Sequence, residues 1–313
     1  MYKEIEELNL ENKEIISQLI ELCGEDSVLT EEPMSRHTTF RVGGPADYFV
    51  SPHNEQEILG VQKICEEAGI PWFVVGNGSN LVVSDKGYRG VILSVYKNFQ
   101  GILVDGCRIE AGAGAMLSAV SHAAKDNSLT GMEFASGIPG TLGGAVMMNA
   151  GAYGGEMQQI IDTVKVMTPE GEVKTLEAGQ MEFGYRTSVV KKKHYIVLSA
   201  VLKLQAGEKE QIQAKMQELK NRRVEKQPLE YPSAGSAFKR PQGYFAGKLI
   251  MDAGLAGFSV GGAQVSEKHC GFVINKGGAT ASDVVQLMGE VQRKVQERFG
   301  VWLEPEIQFL GQF

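Results

Sequence analysis

The chain has 313 residues, 43% of them hydrophobic and 22% charged, and carries a net charge of −7. That composition suits a globular protein of about two domains, and the acidic balance, with no basic block beyond Lys191–Lys193, argues against nucleic acid as a partner. Four cysteines and five histidines are scattered, with neither disulfide nor metal-ligand spacing, so no metal site is expected and a reducing cytoplasm fits.

In chain order, Ile5, Leu8, Ile15, Ile16, Leu19 and Ile20 recur at helical spacing, which predicts one or two amphipathic helices over 4–23. The charge mixed through this segment is unlike a signal peptide, and no stretch is apolar enough to span a membrane. A helix is expected over 55–70, ended by Gly69 with Pro71 beyond, then strand, loop and strand through "PWFVVGNGSNLVVS". Strands follow at 90–95 and 101–114, the latter turning at Asp105–Gly106, then a helix over 115–127. A hairpin over 164–177 turns at Pro169–Gly171, Lys191–Lys193 read as a solvated loop, and 194–207 reads as a long strand. Beyond it come a charged helix over 208–227 and an irregular proline-bounded segment. A helix over 282–300 is expected to start at Ser282–Asp283 and stop at Gly300, and the tail "VWLEPEIQFL" reads as a strand interrupted by Pro305. Strands and helices without strict alternation make the fold class α+β, with a domain boundary near 206.

Glycine is the outlier, with 38 residues clustered at 43–44, 76–78, 112–114, 137–144, 151–155, 261–262 and 277–278. Loops without Cβ atoms let backbone N–H groups approach a ligand closely. No G-x-G-x-x-G follows a strand and no G-x-x-x-x-G-K-[ST] occurs, so neither a Rossmann dinucleotide domain nor a P-loop is supported. "GNGSN" (76–80) alone reads as a tight turn or as a phosphate loop. "SGIPGTLGGAVMMNAGAYGGE" (136–156) holds more glycine than packing needs, and a helix starting after Pro139–Gly140 would offer N–H groups to a diphosphate.

These stretches, with "HTTFRVGGPADYFV", "FGYRTS", "AGSAFKRP", "KLIMDAGLAGFSVGGAQVSEKHCGFVINKGGATASDV" and "VWLEPEIQFLG", occur in the order and spacing of one family over nearly the whole chain. The chain resembles the UDP-N-acetylenolpyruvoylglucosamine reductase (MurB) family of flavoenzymes in peptidoglycan precursor synthesis. The resemblance implies an N-terminal helical segment at 1–30. A two-lobed vanillyl-alcohol-oxidase-like (PCMH-type) FAD-binding domain would follow over 31–206, its lobes split near 98. An α+β substrate-binding domain would span 207–313, with the tail 301–313 returning to the active site. Non-covalent FAD would lie on Gly76, Asn77, Gly78, Ser79 and Asn80. Gly137, Ile138, Pro139, Gly140, Thr141, Gly143 and Gly144 would complete the diphosphate cradle. Asn149, Ala150, Gly151 and Ala152 would run along the cofactor. Arg223 and Arg41 would support it or the pocket. NADPH would visit the substrate pocket.

The implied reaction is reduction of an enolpyruvyl ether to a D-lactyl ether on UDP-N-acetylglucosamine. Negative charge developing at C2 beside a carboxylate calls for a fixed positive partner and a proton donor. Arg186 matches the first, since a planar guanidinium suits bidentate pairing. Ser236 matches the donor, and its neighbours Ala234, Gly235 and Ala237 permit close approach. Glu306 would face the carboxylate, which implies a shared proton and a raised pKa. From the residues alone, Glu304 is as good a candidate, and only the family pattern separates the two. Tyr185, Lys226, Lys239, Arg240 and Lys248 would meet the substrate. Some members carry an added loop between the "YR" strand and the serine loop whose tyrosine closes over the substrate. The stretch 187–235 is too short for it, so the chain resembles the shorter, type II class. A cytoplasmic monomer without membrane insertion is the expectation. An oxygen-using oxidase on the same fold and a nucleotide-sugar-binding protein are the competing readings. "AGSAFKRP" and "LEPEIQF" count against the first, and the joint presence of Arg186, Ser236 and Glu306 against the second.

Overall fold

Apolar residues three and four apart bury one face of a helix, and alternating ones bury one face of a strand. The computed structural model describes residues 2–313, with side chains from residue 12 onward. The 4–23 pattern forms one helix, α1 (Tyr2–Cys23), whose Ile15 and Leu19 are buried; Ile5 and Leu8 lie outside the described side chains. Burial pushes the Cys23 thiol, and that of Cys65 on α2 (Glu55–Glu67), up to about 12. Next come α3 (Leu117–Asp126), α4 (Leu142–Met148), α5 (Val189–Lys192) and α6 (Lys209–Lys226). The expected solvated loop at Lys191–Lys193 thus starts in a short helix, with Lys192 paired to Glu182 at 2.7 Å. Helices α7 (Ala246–Asp252) and α8 (Ala281–Phe299) complete the set used below.

The chain forms two compact units, each assembled from separate segments. The first holds the chain to Glu32, Ala46–Gly76 and Arg89–Lys220; the second holds Pro33–Pro45, Asn77–Tyr88 and Asn221–Phe313. The sequence reading placed a cut near 206 between continuous segments, whereas here two inner segments join the C-terminal one and the later crossover falls inside α6. Phe40, Val42 and Val82 explain the joining, because they are buried with Val284, Leu287 and Val291 of α8. Gly44 makes the approach feasible: a Cβ there would collide with the backbone of Asp85, and its N–H donates to Ser84 O at 2.9 Å.

The first unit carries two large sheets beside two two-stranded ones. One orders Val28–Pro33, Pro45–Val50, Tyr88–Ser94 and Trp72–Val75, with the last pair parallel. The other orders Val173–Glu177, Ile161–Met167, Ile196–Lys203, Arg108–Gly112 and Ile102–Asp105, all antiparallel. Its core gathers Ile109, Leu117, Leu142, Val146, Val164 and Leu198.

The second unit has a four-stranded antiparallel sheet ordered Ser233–Ser236, Phe272–Asn275, Ala263–Val265 and Ser259–Val260. These strands are two to four residues long, too short to show a period in the sequence. The tail forms a strand only at Gln308–Leu310, parallel to Leu81–Val83, while Pro305 makes a single bridge to Phe238. Lacking an N–H, proline cannot continue a ladder.

Helix α8 starts just after its cap, Thr280, not at Ser282–Asp283 as expected. Thr280 Oγ1 accepts from Asp283 N at 3.0 Å and Thr280 N donates to an Asp283 carboxylate oxygen at 3.0 Å, a reciprocal capping box. Asp85 completes the cap from far along the chain, accepting from Ala281 N at 2.7 Å, Ser282 N at 2.8 Å and the Ser282 hydroxyl at 2.6 Å. Partial burial pushes the Asp85 carboxyl up, but these bonds outweigh it and hold the group below its usual range. The Thr280 N–H holds Asp283 down as well.

A depressed folded-state value means stability that is present above the unfolded pKa, about 4. It is lost as pH falls through the lowered value. Asp85→Asn should cost about 1–2 kcal/mol in urea unfolding at neutral pH. The gap to wild type should narrow below about pH 4. Parallel stability curves down to acid would remove Asp85 from this role.

Candidate active site

The strand Trp72–Val75 runs out into Gly76, where the chain passes from the first unit to the second. A Cβ on Gly76 would collide with the Thr141 hydroxyl, so the two glycine stretches meet at this pair inside the first unit. Within the second unit, Gly78 adopts φ +58°, and a Cβ there would strike the His37 carbonyl. "GNGSN" is thus packed on "HTTF", whose Thr39 hydroxyl donates to Ser233 O at 2.6 Å. Asn77 and Ser79 are half-buried beside it.

The expected open N–H groups at the start of α4 are largely spent. Leu142 N donates to Ala115 O and Gly143 N to Ala113 O, both at 2.8 Å, and Gly140 O accepts from Leu117 N at 3.0 Å. This pins the turn Gly137–Gly140 and the buried Thr141 to the segment preceding α3; Ile138 N donates to Ala135 O at 3.0 Å. The glycines here are of two kinds. Gly143 is bare because a Cβ would press on the Ala113 Cβ at 3.0 Å. Gly144 is exposed, and a Cβ there would meet nothing closer than the Thr141 hydroxyl at 3.7 Å. Glycine in a helix costs about 1 kcal/mol against alanine, so a bare, unobstructed face beside Thr141 fits a ligand that approaches from outside. A dinucleotide's diphosphate is such a group, and Gly76, Gly137–Thr141 and Gly144 fit a cradle for it.

At its other end α4 stops at Asn149, buried and at φ +44°. Its Nδ2 donates to Glu156 Oε2 at 2.9 Å and to Gly184 O at 3.3 Å, and its Oδ1 accepts from Gln158 N at 2.9 Å. Ala150, Gly151 and Ala152 lead from it into a tight hairpin that turns at Tyr153–Gly154. Gly184 and Thr187 exchange hydrogen bonds of 3.1 and 3.3 Å across a second two-residue turn, which carries Tyr185 and Arg186. Arg186 sits at φ +56°, half-buried, with its guanidinium 5.3 Å from the exposed Tyr185 ring. The Ser188 hydroxyl anchors the same turn to Met147 O at 2.9 Å.

In the second unit, Ser236 ends an edge strand. Ser233 faces Ile274 and Ser236 faces Phe272, so the strand holds one extra residue, a bulge at which Gly235 takes φ +76°. Ala237 N donates to Gly271 O at 2.8 Å, and Ala237 O accepts from Glu306 N at 2.9 Å. Asn80 Nδ2 donates to Glu306 O at 3.1 Å, and Asn80 O accepts from Gln308 N at 3.0 Å. Glu306 therefore lies one residue from Ser236 across a backbone pair and is half-buried. Glu304 is exposed and engaged by Lys239 Nζ at 2.9 Å. The structure thus separates two glutamates that local sequence could not.

Lys239 and Arg240 lead away from Ser236. Arg240 lies 4.0 Å from the centre of the exposed Phe245 ring, and Lys248 on α7 pairs with Asp252 at 2.7 Å. Arg223 and Lys226 lie on the last turn of α6, and Arg41 is exposed at φ +57°. The stretch 187–235 is taken up by α5, the strand Ile196–Lys203 and α6, with no added loop. Among the described residues no group of His, Cys, Asp or Glu could hold a metal, and no helix is long and apolar enough to cross a membrane. Sequence reading missed Asp85 and Glu156, whose partners are distant or folded back through a hairpin.

Residues 46–177 match the FAD-binding domain family, so the fold and its glycine cradle define an FAD-dependent oxidoreductase. Residues 227–310 match the C-terminal domain of UDP-N-acetylenolpyruvoylglucosamine reductase. Reductases of that name from Lachnoclostridium phytofermentans and Agathobacter rectalis are 52% and 51% identical, each over 96% of this chain and over 98% and 100% of their own. The crystal structure of the Thermus caldophilus MurB is 35% identical, with a TM-score of 0.79 over 91% of this chain and 98% of that one. The chain belongs to the UDP-N-acetylenolpyruvoylglucosamine reductase (MurB) family.

The two kinds of glycine give a prediction with opposite signs. Gly144→Ala should stabilise the apoprotein by about 0.5–1 kcal/mol and weaken FAD at least about tenfold, read by thermal unfolding and fluorescence titration. Unchanged FAD affinity would remove Gly144 from the cradle.

Proposed function

We propose that the protein reduces UDP-N-acetylglucosamine enolpyruvate to UDP-N-acetylmuramate, with NADPH as electron donor, as a cytoplasmic step of peptidoglycan precursor synthesis. The observation that carries this reading is the backbone pair between Glu306 and Ala237, which sets a half-buried carboxylate beside the serine strand while Lys239 draws Glu304 away.

FAD, when bound, supplies the hydride carrier between NADPH and the enolpyruvyl group. Gly76–Asn80, Gly137–Thr141, Gly144 and the Asn149–Ala152 segment would hold it. Reduction at C3 leaves negative charge at C2, spread onto the adjoining carboxylate. Arg186 neutralises that carboxylate, and its turn is already ordered by Asn149 and Ser188, so little reorganisation accompanies the charge. Ser236 donates the proton to C2. Serine is a weak acid, but a carbanion is a strong base, and the Gly235 bulge fixes the hydroxyl's backbone. Glu306 completes the polar surround of the carboxylate. Lys226, Arg240 and Lys248 take the diphosphate and sugar side, with Tyr185 next to the carboxylate.

The first test is a visible spectrum under anaerobic conditions. A yellow protein should bleach with NADPH and recolour only when the enolpyruvyl substrate is added; recolouring with oxygen alone would favour an oxidase. Ser236→Ala should leave bleaching intact and slow recolouring by about a hundredfold or more. Glu306→Gln should slow the same step, whereas Glu304→Gln should change it by less than about twofold, since an exposed ion pair is worth about 0–1 kcal/mol. Equal loss in both half-reactions for Ser236→Ala would sink the proton-donor role.

A further inference from the structure

The two glycine stretches each contain an asparagine whose amide turns to the protein. Asn80 closes "GNGSN", and its Nδ2 donates to the carbonyl of Glu306 itself at 3.1 Å. The backbone of Asn80 adds Gln308 N at 3.0 Å, and Ala237 O takes the Glu306 N–H at 2.9 Å. The Glu306 peptide is thereby held at both ends. Asn149 closes α4, and both of its amide hydrogens and its oxygen are engaged, one of them on the Gly184 carbonyl of the Tyr185–Arg186 turn. That turn keeps Arg186 in a left-handed conformation that a non-glycine residue adopts only when neighbours impose it.

We propose that Asn80 and Asn149 are positioning residues, each tying a glycine loop of the flavin cradle to a residue that meets the substrate: Asn80 to Glu306, Asn149 to the turn of Arg186. This rests on the reading of Arg186 and Glu306 given above. The assignment is specific about what these side chains do. The Asn149 amide has both donors and its oxygen engaged within the protein, so its contribution is to hold the arginine turn. The Asn80 amide reaches past its own loop to the C-terminal tail. Each clamp lies within one compact unit. The two loops then do two jobs at once. Their glycines admit the cofactor, and their asparagines set the groups that meet the substrate carboxylate, so ordering the cradle also orders the acceptor side of the reaction.

The test uses the full chain. Asn80→Ala removes one clamp, and Asn149→Gly removes the other while suiting φ +44°. Asn80→Asp keeps the shape and deletes the donor, and Asn149→Asp combined with Glu156→Gln does so without setting two carboxylates against each other, which guards against misfolding of the first pair. FAD affinity is read by fluorescence titration of apoprotein, and the two half-reactions by anaerobic stopped flow. On FAD-saturated protein, reoxidation by UDP-N-acetylglucosamine enolpyruvate should slow at least about tenfold more than reduction by NADPH does, the equivalent of one lost hydrogen bond on the substrate side. Asn149→Gly should also raise the KM for that substrate more than the KM for NADPH, because Arg186 pairs with the substrate carboxylate. A fall in FAD affinity with both half-reactions slowed together, as a merely structural loosening of the loops would give, overturns the proposal, as does no change in any readout. Wild-type protein that is never reoxidised by the enolpyruvyl substrate would overturn it by removing the functional reading itself, an outcome visible before any variant is made.

Discussion

The return of the C-terminal tail is the constraint on which the second unit depends. Gln308–Leu310 pairs in parallel with Leu81–Val83, and Glu306 and Glu304 take backbone bonds with Ala237 and Lys239. Three segments far apart in the chain become one fabric. Closing such loops costs only slowly more with length, a few kcal/mol of chain entropy in all. Burial of Leu303, Ile307 and Leu310 against that fabric offsets it. Tail, serine strand and the Asn80 loop are therefore fixed together: loosening any one would free Glu306, and the cap that Asp85 places on α8 ties the neighbouring segment to the unit's largest helix.

The first unit stores strain in its turns. Asn149, Tyr153 and Arg186 all stand at positive φ, in three turns joined by the Asn149 amide and the hairpin it starts. Each such residue costs about 1–2 kcal/mol. Asparagine tolerates the region best, while tyrosine and arginine each sit in a two-residue turn whose geometry imposes it. The strain at Arg186 is held by Gly184–Thr187 pairing and by the Ser188 anchor. A guanidinium kept in place by a stiff turn loses little freedom when a carboxylate arrives, which is the property that electrostatic stabilisation of developing charge requires.

Legibility in the sequence followed the range of the interaction. Helices with a full apolar stripe, such as α1 and α8, and a long strand such as Ile196–Lys203 were visible because their period is written locally, whereas the six-residue strands Val28–Pro33 and Pro45–Val50 were not singled out. The short sheet of the second unit was not, since strands of two to four residues carry no period. The start of α8 was placed one residue late because Ser, Asp and Thr all cap well, and the choice of Thr280 as cap is settled by the reciprocal bond to Asp283. The assignment of Pro33–Pro45 and Asn77–Tyr88 to the second unit was invisible for a deeper reason: it depends on Phe40, Val42 and Val82 finding α8, two hundred residues onward. Of the candidate site, sequence could name residues by family motif, but not the contacts that tie Asn80 to Glu306 or Asn149 to the Tyr185–Arg186 turn, because those partners lie far apart in the chain.

Glycine content illustrates how far a composition argument reaches. The excess of glycine pointed to ligand approach, yet a good part of it answers to protein neighbours. Gly44, Gly76, Gly78 and Gly143 are bare because backbone or side chain lies where a Cβ would stand. These positions let segments from different parts of the chain pass within van der Waals contact. Gly144 alone among those five leaves the space open. A glycine-rich loop is thus a crossing of chains first, and close packing of backbone is what holds the turns beside it in one conformation, the property a ligand site would need so that little order is lost on binding.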